Sequence, residues 1–236
     1  MRCYKRGDEL KLRIIFVRHG HPDYEKDCLT ELGHKQAEAM AKRLSDERID
    51  RIYSSSLGRA SETAQHLADA IGMDVTLCDF MCEVRSGSIN GEEIPHNGQP
   101  WRVVDGMIAS GISLLDEDWE NKYFSNNTIL SHIKRCNDGF DNLLEELGYK
   151  REGCYYRVLK KNSQNIVVVS HGGSSSSVIA HIFNLPAPFV FGTMRSLFTG
   201  ITIAAFDGEE SSLISPKFEI ANDSRHIDAI ENVFGF

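Results

Sequence analysis

The sequence predicts an α/β fold, a three-layer sandwich in which helices cover both faces of a mainly parallel central sheet. Three observations predict it. Short apolar runs alternate along the chain with amphipathic stretches, the order that builds parallel sheets. Two of these runs, Leu12 to Val17 and Ile166 to Val169, are dominated by branched apolar residues, as in strands buried on both faces. Each then stops at a polar residue followed by His-Gly.

The elements follow in order. Leu12 to Val17 reads as the first strand, ended by Arg18-His19-Gly20. Thr30 can cap the next helix, with Glu31 in its first turn and Ala37, Met40, Ala41 and Leu44 on its apolar face. Ile49 to Tyr53 is a second strand. Leu57 to Ile71 is a second helix, with Ala60, Ala64, Leu67 and Ile71 on one side, and Val75 to Leu77 is a third strand. Ser86 to Trp101 is rich in Gly, Asn and Pro and reads as an irregular loop. Ile129, Ile133, Cys136, Phe140, Leu143 and Leu147 mark a long amphipathic helix. Ile166 to Val169 is the central strand, a helix runs on to about Phe183, and Ile201 to Phe206 and Leu213 to Ile220 are late strands.

Length fits a single domain over 1–236, with a helical cap inserted at about 86–150. The net charge of −8 argues against nucleic-acid or acidic-membrane partners, which select a basic face. A small anionic ligand stays compatible, since a local arginine pocket can oppose the global sign. No apolar run approaches a membrane span, and the charged start, Met1 to Lys11, lacks the apolar core of a secretory signal. The six cysteines form no CxxC pair and no zinc-site spacing, which points to free thiols in a reducing cytoplasm.

In open α/β sheets ligands sit beyond the carboxyl ends of the strands, where both His-Gly pairs fall. Glycine after each histidine lets the backbone approach a ligand closely. A third strand end gives Ser54-Ser55-Ser56-Leu57-Gly58-Arg59, which places Arg59 in the first turn of a helix. Helix N-termini attract phosphate and arginine grips it with paired hydrogen bonds.

Four ordered motifs, Val17-Arg18-His19-Gly20, Leu29-Thr30-Glu31-Leu32-Gly33, Ser54 to Ala60 and Ser170-His171-Gly172-Gly173, resemble the histidine phosphatase superfamily, the phosphoglycerate-mutase-like clan. The tail Ala221 to Ile227 is similar to that family's ending, so the resemblance spans about residues 12 to 227. It implies a phosphoglycerate-mutase-like fold and a metal-independent phosphatase that hydrolyses phosphomonoesters through a phosphohistidine. It also implies no cofactor. His19 matches the nucleophile, and Arg18, Arg59, His171 and Gly172 match the phosphate pocket. Glu83 stands where the family has its proton donor, although Val84 to Gly91 departs from the usual wording. His171 would add a third positive donor if a bound dianion protonated it.

Around this set, His21, Arg85, Asn90, His96 and Trp101 are expected substrate contacts, while His34, His66, His132 and His181 read as helix residues. The expected partner is a small phosphorylated metabolite in the cytoplasm, and a homodimer is among the arrangements left open. Three rivals share part of the pattern. A serine hydrolase would use one of Ser54 to Ser56 with His226, but the first glycine of its elbow is missing. A mutase of the same clan would return the phosphoryl group to substrate, but its insertion after the acid is not evident. A binding module would lack His19 or Glu83.

Overall fold

A computed structural model describes residues 11–227; Cys3 and the charged start before Lys11 lie outside them. Along the chain come β1 (Leu12–Arg18), β2 (Pro22–Asp23), β3 (Cys28–Leu29), α1 (Glu31–Leu44), β4 (Arg51–Ser54), α2 (Gly58–Ile71) and β5 (Val75–Leu77). Then follow α3 (Pro100–Ala109), α4 (Trp119–Tyr123), α5 (Ile129–Glu146), β6 (Tyr149–Glu152), β7 (Tyr155–Val158) and β8 (Asn165–Ser170). The chain closes with α6 (Gly172–Ile182), α7 (Ala187–Thr193), β9 (Ile201–Phe206), β10 (Leu213–Ile214) and β11 (Lys217–Asp223).

Six strands form the main sheet in the order β11-β9-β1-β8-β4-β5. β1, β8, β4 and β5 run parallel, and β9 is antiparallel to both neighbours. Side chains alternate across β1 as strand geometry demands. Leu12, Ile14 and Phe16 join Ile166 and Val168 of β8 in a core shared with α3, α5, α6 and α7. Ile15 and Val17 join Val167, Val169, Ile201 and Ile203 against α1 and α2. No helix of the described residues is long and apolar enough to cross a membrane.

Several expectations change. Leu213 to Ile220 is two strands, because Pro216 lacks the N–H a continuous ladder needs. β10 pairs instead with β7 in a small sheet, β10-β7-β6. The β6–β7 hairpin was not expected: its lysine, arginine and glutamate hide a two-residue period, yet Tyr149 and Tyr156 are buried beside Phe206. Trp101 belongs to the first turn of α3 rather than to the loop, because Gln99 caps that helix by accepting from Arg102 N at 2.9 Å. α5 packs on the sheet, with Phe140 stacked on Phe16 of β1 at 5.4 Å between ring centroids.

Candidate active site

The carboxyl ends of β1, β4 and β8 bring three motifs to one place. β1 ends at Arg18, and the His19 N–H donates to Ser170 O of β8 at 2.9 Å. The Gly20 N–H donates to Thr63 Oγ1 of α2 at 3.0 Å, and Thr63 Oγ1 donates to Arg59 O at 2.7 Å. Thr199 N holds Arg18 O at 3.0 Å, and Thr199 Oγ1 meets His226 Nε2 at 3.0 Å. The tail histidine thus braces the end of β1. A Cβ on Gly20 would sit 2.6 Å from Gly33 O, so the turn after His19 can lie on α1 only with glycine there.

His19 and His171 face each other with ring centroids 5.1 Å apart. His19 Nδ1 donates to Gly20 O at 2.7 Å. A carbonyl only accepts, so Nδ1 carries the proton and the lone pair is on Nε2. Burial, reinforced by Arg18, holds His19 well below the usual imidazole range. His171 Nε2 lies 2.8 Å from Ser55 Oγ, and its Nδ1 is buried with no hydrogen-bond partner among the described residues. Burial again, with His19 and Arg59 adding to it, keeps His171 neutral well below the usual range. The positive charge expected at His171 must therefore be induced by an anion beside it.

Arg18 extends across Phe198, its guanidinium carbon 4.3 Å from the ring centroid, and donates to Ser196 O at 2.7 Å. Arg59, in the first turn of α2, is paired with Asp27, whose other carboxylate oxygen accepts from Gly58 N at 2.8 Å. Asp27 thus aims the arginine and caps the helix, for which Leu57 offers no side-chain cap. Burial pulls the Arg18 pKa below the usual guanidinium value, against the opposing influence of Tyr24 and Glu83.

Glu83 reaches the N-terminus of α6. Its Oε1 accepts from Val84 N at 2.8 Å and Ser174 N at 3.0 Å, and its Oε2 accepts from Gly173 N at 3.2 Å. Burial raises its pKa, against the opposing pull of these N–H groups and of Arg18. With Oε1 twice engaged, Oε2 is the oxygen suited to carry a proton. The next N–H of α6, from Ser175, goes to His171 O.

Arg18, Arg59, Glu83, Trp101 and Gly172 line a cleft of about 580 Å³, with Tyr24, Gln99, Arg102, Asp105, Ser176, Arg195 and Ser196 completing the wall; His19 and His171 are buried and are not part of that lining. Of the expected substrate contacts, Trp101 alone is in that wall. His21 is adjacent but bonded to Thr30 Oγ1 at 2.9 Å. Arg85 is exposed, with its charge acting on His132. Asn90 is exposed and tied to Glu92 and Asn126. His96 lines a neighbouring cavity with Ile94, Lys122 and Asn127. The loop carrying these residues is pinned outward by Asn126 and Asn127, which local sequence does not reveal. Of the four helix histidines, His181 pairs with Asp141 and His34 with His66, away from the cleft wall. Tyr24, Asp27, Ser55, Phe198, Arg102, Asp105 and Arg195 were missed, because only the folded chain brings them to this site. Ser55 is fully buried and bonded to His171, and His226 serves Thr199, so the serine-hydrolase arrangement is absent. Among the described residues no group of three His, Cys, Asp or Glu converges as a metal would require.

Residues 14–104 match the family profile described as histidine phosphatase superfamily (branch 1). The probable phosphoglycerate mutase GpmB of Escherichia coli O1:K1 / APEC is 26% identical, covering 92% of this chain and 96% of the relative, and its Enterobacter sp. (strain 638) counterpart has the same identity and coverage. Among solved structures, a mycobacterial glucosyl-3-phosphoglycerate phosphatase with inorganic phosphate superposes with a TM-score of 0.63 at 22% identity, covering 92% of this chain and 99% of that one. The Entamoeba histolytica phosphoserine phosphatase in complex with phosphoserine superposes with a TM-score of 0.60 at 21% identity, covering 92% and 99%. With its motifs gathered at the carboxyl ends of the central strands, the chain is similar to the histidine phosphatase superfamily in the stretch 14–104 and to the GpmB relatives over most of its length.

Proposed function

We propose that this protein is a metal-independent phosphomonoesterase working through a phosphohistidine. The observation that carries the reading is the His19 tautomer: Nδ1 is locked on Gly20 O at 2.7 Å, which leaves a neutral Nε2 lone pair among two arginines and a second imidazole. In the first step Nε2 attacks phosphorus, the P–O ester bond breaks, and the leaving oxygen takes the proton of Glu83. In the second, Glu83 as carboxylate accepts a proton from water, the hydroxide oxygen bonds to phosphorus, and the P–N bond breaks to release inorganic phosphate. Arg18, Arg59 and an imidazolium at His171 neutralise the phosphoryl oxygens throughout.

The substrate in this reading is a small phosphorylated metabolite. The cleft volume suits a compact molecule, and structural neighbours are described with phosphoserine and 3-phosphoglyceric acid bound. Arg102 and Arg195 add positive charge to the outer wall, where Asp105 pairs with Arg195 at 3.0 Å. That wall favours a phosphoester bearing a second anionic group.

The test is p-nitrophenyl phosphate hydrolysis in EDTA, wild type beside His19→Ala. Turnover by the wild type alone supports the reading, and equal turnover by both removes His19 as nucleophile. If neither turns over, 3-phosphoglycerate is supplied next. Appearance of an isomer without free phosphate would then favour the mutase activity named for the curated relatives.

A further inference from the structure

Tyr24 is the one large aromatic residue of the cleft wall that stands mostly in solvent, 66% exposed. It sits in the turn between β2 and β3, and this turn is built to hold it. Asp23 Oδ1 accepts from Glu25 N at 3.1 Å and Lys26 N at 3.2 Å, and Asp27 fastens the far side to Arg59 and to the N-terminus of α2. So fixed, the Tyr24 ring lies over the Arg59 guanidinium, 5.4 Å from its centroid, a cation–π arrangement. Arg18 lines the same wall; burial lowers its pKa, and a side-chain hydrogen bond with Tyr24 is among the interactions that oppose this. One side chain therefore touches both arginines of the phosphate pocket.

The chemistry at Arg18 fixes the direction of the phenol. A guanidinium offers only donors, so the phenol oxygen accepts there and the phenolic proton remains to be donated elsewhere. An anion gripped by Arg18 and Arg59 is the acceptor within reach of both arginines.

We infer that Tyr24 is a substrate-contacting residue: its hydroxyl donates to a phosphoryl oxygen held between Arg18 and Arg59, and its ring walls that group from bulk water. The inference rests on the phosphatase reading of the same cleft. It adds a neutral donor that needs no change of protonation as the phosphoryl group moves from ester to histidine. Because the side chain is exposed, its replacement leaves the cores intact.

The experiment is calorimetric titration with inorganic phosphate of wild type, Tyr24→Phe and Tyr24→Ala, beside p-nitrophenyl phosphate kinetics and thermal melting. Loss of one donor to a charged oxygen weakens phosphate binding about tenfold in Tyr24→Phe. Loss of the ring weakens it further in Tyr24→Ala. KM rises more than kcat falls, since the contact exists in ground and transition states alike, and the melting temperature is unchanged. If both variants bind phosphate as the wild type does, the inference is overturned while the phosphatase reading stands. If Tyr24→Phe matches wild type and only Tyr24→Ala weakens, the hydroxyl contact is overturned. If wild type itself turns nothing over and binds no phosphate, the phosphatase reading falls and the role of Tyr24 falls with it.

Discussion

Gly173→Ala changes no titratable group, yet it should damage proton transfer selectively. A Cβ on Gly173 would stand 2.3 Å from Val84 Cγ2, 2.5 Å from Glu83 Oε1 and 3.3 Å from Glu83 Cδ. Real Cβ contacts essentially never fall below 3.0 Å, so the carboxyl group must retreat by about 0.5–1 Å, and a misplacement of about 1 Å can cost about a hundredfold in rate. The retreat also breaks the Gly173 and Ser174 N–H bonds to Glu83, 3.2 and 3.0 Å long. Arg18, Arg59 and His19 are not touched, so inorganic phosphate should inhibit as before. The assay is kcat/KM over a series of phosphate esters with leaving groups of increasing pKa. For p-nitrophenyl phosphate, whose leaving group needs little protonation, the loss should be small. For alkyl phosphates it should approach the full factor. A uniform loss across the series, or none at all, would refute the placement of Glu83 as the acid.

Other perturbations test neighbouring parts of the site. The raised pKa of Glu83 means that its protonated form is lost as pH climbs through that value, while the depressed pKa of His19 keeps the nucleophile neutral well below the usual imidazole range. Turnover of an alkyl phosphate should therefore be greatest on the acid side of neutrality and decline as pH rises. Glu83→Gln should abolish that alkaline limb, and a variant that retains it assigns the titration to another group. Asp27→Ala removes the cap on Gly58 and the brace on Arg59 together. The lost cap should cost about 1 kcal/mol, a drop of about 2–4 °C in melting temperature for a chain of this size. KM for p-nitrophenyl phosphate should rise as Arg59 loses its aim, and unchanged melting and KM would refute both roles.

The sequence by itself determined the strand–helix alternation, the parallel centre of the sheet and the residues at its carboxyl ends. Each of those signals is local: a branched run such as Ile166–Val169 must be buried, and a run that ends in His-Gly must end at a turn. Arg18, His19, Arg59 and His171 were legible for that reason, since strand ends in an open α/β sheet converge on one edge. Tertiary structure alone decided the rest. It placed Asn90 and His96 away from the cleft, because Asn126 and Asn127 tie their loop outward through contacts more than 25 residues distant. It set α5 against the sheet, where Phe140 stacks on Phe16. It also brought Tyr24 and Asp27 to the arginines, and a short polar turn shows nothing of this until its neighbour in space is known. Only burial in the folded chain raised the Glu83 pKa, against the opposing pull of the α6 N–H groups, because desolvation depends on what surrounds a group and not on what precedes it in the chain.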